Sequence, residues 1–591
     1  MSAARLARGV AHEMPFGAEV LPEGGVQFRL WAPAAKNVDL VLEKKSAPMK
    51  KRGEGWFEVV ELAAGPGTRY RYRIDGGQLV PDPASRFQPQ DVDGPSEVID
   101  PASYRWKSGA WQGREWREAV LYELHVGTFT PEGTYRGVIK KLAHLKETGV
   151  TAIELMPLAD FAGRRNWGYD GVLPYAPDSA YGRPEDLKAL VDAAHEAGLM
   201  VFLDVVYNHF GPKGNYLGLY APQFFTGRHR TPWGAAINFG GEGSRWVREY
   251  FVRNALYWLD EYRFDGLRFD AVHAIIDESP NHVLTEISSR VKEKFANHPK
   301  HLILENDANQ ARLLGPRKFT AQWNDDAHHG YHVLATDETD GYYVAYADAP
   351  AKHLARCLAE GFAYQGEISP FTNEKRGEPS TQLPPLAFVG FMQNHDQIGN
   401  RALGERLAVL SNDKILKALT AILLLAPSPP MLFMGEEWGC RQPFLFFCDF
   451  DGELGEAVRN GRREEFKRFA AFRDPAARAR IPDPLAQETF AKSVLRWEDA
   501  QPAWLDFYKA LLGVRRREIV PRGAKPGRYE MLGERVFSVL WPLEDGGVLR
   551  LLANCGDAPF DLAMPPRGRC LWGPEHSERM AAWSVSWWLE Q

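Results

Sequence analysis

From residue 119 to 434 the chain alternates short apolar runs with amphipathic stretches, and no other feature of its 591 residues narrows the possible folds as far. The strand-like runs are 120–125, 152–157, 200–206, 266–269, 302–305, 321–323, 388–393 and 431–434. Helical stretches at 135–148, 184–197, 244–261, 281–295, 351–361 and 413–425 separate them. Parallel neighbours need a long crossover, usually a helix, so this rhythm predicts a parallel sheet. Eight such units favour closure into a (β/α)8 barrel over an open sheet. Pro184 followed by Glu185 and Asp186 marks one helix start, because proline suits the first turn and acidic side chains favour the positive end of the helix dipole.

A chain of this length exceeds one hydrophobic core, and the flanks read differently from the middle. Period-two alternation in Val26-Gln27-Phe28-Arg29-Leu30-Trp31 and Arg69-Tyr70-Arg71-Tyr72-Arg73-Ile74 predicts an N-terminal β-sandwich over residues 1–109. The barrel is expected over 110–524, with a lobe rich in Gly, Pro and aromatics inserted at about 208–243, too long for a structural turn. Alternation returns in Val536-Phe537-Ser538-Val539-Leu540-Trp541, so a C-terminal β-sandwich is expected over 525–591.

Lysine and arginine total 71 against 77 acidic residues, a net charge of −6, with no block of one sign. Phosphate recognition needs a concentrated basic face, so nucleic acid is not an expected partner. The longest apolar run, 418–426, is too short for a bilayer and reads as a buried helix. No apolar stretch follows 1–10, so no leader is expected and the address is cytoplasmic. Five widely spaced cysteines without metal-ligand spacing read as reduced thiols. Aromatics at 12%, 18 of them tryptophan, suit a flat apolar ligand such as a sugar ring, though most will be core.

Barrel chemistry sits at the C-terminal ends of strands. Four strand ends stand out: Asp204-Val-Val-Tyr-Asn-His209, Gly266-Leu-Arg-Phe-Asp270, Leu302-Ile-Leu-Glu305 and Phe391-Met-Gln-Asn-His-Asp396. Asp270, Glu305 and Asp396 end the fourth, fifth and seventh runs, which places the first two on neighbouring strands. Retaining glycosidases need two carboxyls about 5–5.5 Å apart, one to attack the anomeric carbon and one to protonate the departing oxygen. Glu305, crowded by Asp270, is the expected acid, and Arg268, two residues before Asp270 on the same face, is expected to keep the nucleophile ionised. His209 and His395 are donors able to bind sugar hydroxyls. Any single strand-end carboxylate can instead cap a helix or pair with a base; three together with Arg268 and two histidines fit that less well.

The segments 204–209, 266–273, 304–307 and 391–396 resemble the four motif regions of the α-amylase family of glycoside hydrolases, and the resemblance covers essentially the whole chain. It implies Asp270 as nucleophile, Glu305 as general acid/base and Asp396 as a ligand of the distorted sugar in the −1 subsite. By the family pattern Tyr169 stacks on that sugar, while Asp204, His209, Arg268 and His395 complete the subsite; core packing for Tyr169 and a structural pairing of Asp204 with Arg268 stay open. The stretches 122–130, 166–177 and 322–332 resemble the branch that cleaves the α-1,4 bond beside a terminal trehalose, with Trp323 and His328 toward the leaving group or else in the core. Many α-amylases hold calcium through an asparagine at the position of Asn208, but 210–215 offers few carboxylates for a hard cation, so no metal or other cofactor is expected. The implied partner is an α-glucan ending in trehalose, taken up by a monomer. A glucan-branching transferase, an α-1,6 debranching hydrolase and, from another class, a non-catalytic glycan-binding protein are the rival readings.

Overall fold

The eight runs form one eight-stranded parallel sheet in the computed structural model, which describes residues 12, 14–468, 472–574 and 578–590. Residues 1–10, expected to carry no leader, lie outside the described residues. The strands are β1 (Leu121–Leu124), β2 (Ala152–Leu155), β3 (Met200–Val205), β4 (Gly266–Phe269), β5 (His301–Leu304), β6 (Ala321–Trp323), β7 (Phe388–Val389) and β8 (Met431–Phe433). Each pairs with its successor from β1 to β7, and β8 pairs with β1. The ring closes where Gly390, just past β7, bridges Pro430, just before β8, so the sheet is a (β/α)8 barrel.

Alternation along each strand sorts the barrel interior into layers. Leu121, Ala152, Met200, Phe202, Ile303, Ala321, Trp323, Val389, Phe391 and Met431 form one buried apolar cluster. Two residues further along β1, β2, β3 and β4 from Leu121, Ala152, Phe202 and Gly266 stand Glu123, Glu154, Asp204 and Arg268, all buried. The apolar layers fill the lower barrel and charge collects at its C-terminal mouth. Gly266 is required here, because a Cβ would sit 2.2 Å from the Phe202 ring that fills the adjacent interior.

The crossover helices follow their caps. In Pro184–Ala197, Asp186 takes the Arg183 N–H at 3.1 Å, and Gly198 ends the helix at φ 82°. In Asp413–Leu425, Asn412 caps Lys414 and Ile415, and its Ala418–Leu425 part is buried, as the apolar run required. The expected helix 135–148 is two pieces, Tyr135–Ile139 and Leu142–Thr148. The seventh strand is shorter than expected, because Asn394 already caps the turn His395–Gly399. A hairpin of Ala159–Asp160 with Leu173–Pro177, unforeseen in the alternation, carries the 166–177 segment over the barrel mouth.

Two sheets with outer strands Gly17–Val20 and Lys45–Pro48 make the N-terminal sandwich, which docks through the buried ion pair of Arg86 with Glu261 at 3.0 Å. The C-terminal five-stranded sheet docks on barrel helices through Trp541 Nε1 to the Leu358 carbonyl and Trp587 Nε1 to the Ala421 carbonyl. The inserted lobe contains the helix Leu217–Tyr220 and the hairpin Phe225–Thr231 with Gly234–Ile237. No helix among the described residues is long and apolar enough to cross a membrane.

Candidate active site

Arg268 organises the barrel mouth. Its guanidinium, fully buried, lies 4.0 Å from the centre of the Trp323 ring and reaches three carboxylates. Nη1 donates to Asp204 Oδ2 at 2.5 Å and to Asp270 Oδ1 at 3.0 Å, and Nη2 lies 2.8 Å from Glu305 Oε2. Asp270 and Glu305, ends of neighbouring strands β4 and β5, are therefore held by one cation. A buried guanidinium loses its hydration, and several carboxylates compensate for that loss.

Asp270 and Glu305 each have a second donor. Asp270 Oδ2 accepts from Asn208 Nδ2 at 3.1 Å, and Glu305 Oε2 accepts from the Ala271 N–H at 2.8 Å. Ala271 takes φ 39°, left-handed for a residue with a Cβ, a local strain of the kind found at functional sites. Burial, and then the neighbouring Glu305, push the Asp270 carboxyl well above its ordinary range. Burial alone would raise Glu305 too, but Arg268 and the Ala271 N–H hold it below. This reverses the expectation that Glu305 holds the proton: without substrate its side chain rests on Arg268 and the strained amide, leaving Asp270 the more easily protonated of the two.

His395 and Asp396 open the turn after β7. His395 Nδ1 lies 2.5 Å from Glu123 Oε1, and its Nε2 3.4 Å from Asp396 Oδ1. Burial alone would lower its pKa, but Glu123 and Asp396 outweigh that and raise it to about 9. The pair's stabilisation is complete below the ordinary value of 6.5 and is lost as pH climbs through about 9, roughly 3 kcal/mol in all. The stability gap between the wild type and Glu123→Gln is therefore expected to close between pH 6.5 and 9.5 in denaturant titrations; a gap constant with pH would remove His395 as its source.

Tyr169 is delivered by Gly168, whose φ of 105° and close approach to the Pro157 carbonyl, 2.1 Å from a built Cβ, exclude a side chain. Its ring stacks on His395 at 5.0 Å and its hydroxyl donates to Asp204 Oδ2 at 2.7 Å. Asp204 thus serves as partner to both Arg268 and Tyr169. His209 is buried beside them, with Nδ1 2.8 Å from Asn208 Oδ1 and Nε2 3.0 Å from the Tyr169 carbonyl; its neutral ring donates to one of these acceptors at a time. Trp323 has no exposed surface and lies against Arg268, and His328 is equally buried between the Met392 carbonyl and the Tyr343 hydroxyl, so both sit in the core, one of the two placements open for them.

Three participants escaped the sequence reading. Asn208, considered only as a metal ligand, binds Asp270; Glu123 holds His395; and Trp233, half exposed, stacks on His209 at 4.7 Å. A carboxylate at the end of β1 was the available signal for Glu123.

The α-amylase catalytic-domain model matches residues 84–218, the carbohydrate-binding module 48 (isoamylase N-terminal domain) model 15–101, and that of a domain of unknown function (DUF3459) 526–587. Malto-oligosyltrehalose trehalohydrolase of Deinococcus radiodurans is 45% identical over 511 residues, 85% of this chain and 83% of that protein. The chain belongs to the malto-oligosyltrehalose trehalohydrolase family. The trehalohydrolase of Saccharolobus solfataricus is 42% identical over 85% of this chain and 87% of its own length. Among solved structures, a putative α-amylase from Salmonella typhimurium superposes with a TM-score of 0.94 at 48% identity, over 98% of this chain and 100% of that one. The trehalohydrolase fold is thus shared from the N-terminal sandwich through the barrel to the C-terminal sheet.

Proposed function

We propose that this chain hydrolyses the α-1,4-glucosidic bond next to the terminal trehalose of a maltooligosyltrehalose, with retention, releasing trehalose and a shortened maltooligosaccharide. The observation that carries the chemistry is the pairing of Asp270 and Glu305 on Arg268 from neighbouring strands. The trehalohydrolase relatives support the choice of bond.

In this reading Asp270 attacks the anomeric carbon as the carbon–oxygen bond to the leaving trehalose breaks, and Glu305 gives that oxygen its proton. Glu305 then takes a proton from water, which attacks the covalent β-glucosyl intermediate and frees Asp270. For the first step Glu305 must leave the Ala271 amide and carry a proton, while Asp270 must be ionised. Substrate entry supplies the cause: a sugar between the two carboxyls draws Glu305 from Arg268, whose charge then favours ionised Asp270. Asp396, with its side chain the most exposed of the three, is placed to meet the hydroxyls of the −1 sugar, and Tyr169 offers its ring to that sugar.

Product analysis on maltohexaose, the same chain ending in trehalose, and a branched glucan distinguishes the rivals. Rapid trehalose release from the second alone is expected. New branches would instead mark a transferase, loss of branches a debranching hydrolase, and binding without any product a non-catalytic glycan receptor.

A further inference from the structure

Glu154 takes no part in the chemistry above, yet it stands in the same charged layer. It is 1% exposed, and neither carboxyl oxygen has a hydrogen-bond partner among the described residues. On β2 it is level with Glu123 of β1 on one side and with Phe202 of β3 on the other, which puts it one inward position below Asp204. Adjacent strands lie about 4.8 Å apart, so Glu154 is flanked by two carboxylates.

A carboxylate without partners in that position pays desolvation with nothing to compensate it. The two cations that face it already pair with other carboxylates: Arg268 with Asp204, Asp270 and Glu305, and His395 with Glu123. Burial first, then Glu123 and Asp204, hold the Glu154 carboxyl well above its ordinary range, against the pull of Arg268 and His395. The group therefore keeps its proton and is a donor in search of an acceptor. Asp204, one inward position further along β3, offers one: it uses only Oδ2 for Tyr169 and Arg268, and its Oδ1 is buried without a partner among the described residues.

We propose that Glu154 is a positioning residue of the −1 subsite, donating a hydrogen bond across one buried water to Asp204 Oδ1. The bond fixes Asp204, which orients Arg268 and Tyr169 and through them Asp270. A proton on Glu154 also keeps a further negative charge from competing for Arg268. This inference rests on the reading of the barrel mouth as a glycosidic centre.

Glu154→Gln keeps a donor that cannot ionise, whereas Glu154→Met fills the space with neither donor nor acceptor. Trehalose release by Glu154→Gln should stay within a few-fold of wild type, with the alkaline limb of its pH profile extended. Glu154→Met should lose up to about 10²-fold in kcat with little change in KM, as a displaced reacting geometry would cause. Equal damage in both variants, or wild-type turnover in Glu154→Met, would overturn the proposal. Infrared difference spectra of wild type minus Glu154→Gln at neutral pH test it without catalysis: a protonated-carboxyl C=O band is expected, and a carboxylate band in its place would refute the proposal even if Glu154→Met fails to fold. A wild type that shows the protonated band but releases no trehalose would fault the proposed function and leave the protonation of Glu154 standing.

Discussion

Asp270→Ala is expected to lower trehalose release by roughly 10⁵-fold, because the covalent step loses its nucleophile. The fold should tolerate the change. Asp270 is buried among like charges, and its removal leaves Arg268 still paired with Asp204 and Glu305. A melting temperature at or above that of the wild type, together with product at the detection limit, is the expected pair of results. Product within about a hundredfold of wild type would place the nucleophile elsewhere.

The second large effect is at Glu305. Glu305→Gln is expected to cut turnover of the natural substrate by about 10³-fold with KM little changed, because proton transfer belongs to the transition state. The loss should depend on the leaving group. An α-glucosyl fluoride leaves without protonation, so its first step should suffer far less than release of trehalose. An equal loss on both substrates would mean that Glu305 only holds Arg268. The resting contact of Glu305 with the Ala271 amide makes that outcome a real alternative, since glutamine would keep much of the geometry there.

Much of this was legible along the chain, and the reason is periodicity. A barrel strand alternates between core helices and barrel interior, so Gly266-Leu-Arg-Phe-Asp270 already states that Arg268 and Asp270 share a face, and the contact at 3.0 Å agrees. Eight strand-and-helix units admit few closed arrangements, which is why the fold class could be read before any coordinate. Side chains whose partners come from distant segments were another matter. The neighbours of His209, Asn208 Oδ1 and the Tyr169 carbonyl, are settled by how the 166–177 segment folds over the mouth. For Trp323 both the leaving-group side and the core were open, and its depth against Arg268 is settled only by the tertiary packing.

The protonation pattern shows the division most plainly. From the sequence alone, crowding of Glu305 by Asp270 predicted which would hold the proton, but crowding acts on both carboxyls alike. Arg268 touches both, so the asymmetry comes from the rest: the Ala271 amide on Glu305, and deeper burial on Asp270. His395 and Glu123, 272 residues apart, become an ion pair only when the barrel closes β1 beside β8. Residue order thus determined the strands, their inward faces and the carboxylates at their ends, because these depend on local periodicity. Three-dimensional closure decided which of those charges are paired, buried or left with a proton, because solvation and partners depend on neighbours that the chain brings from far away.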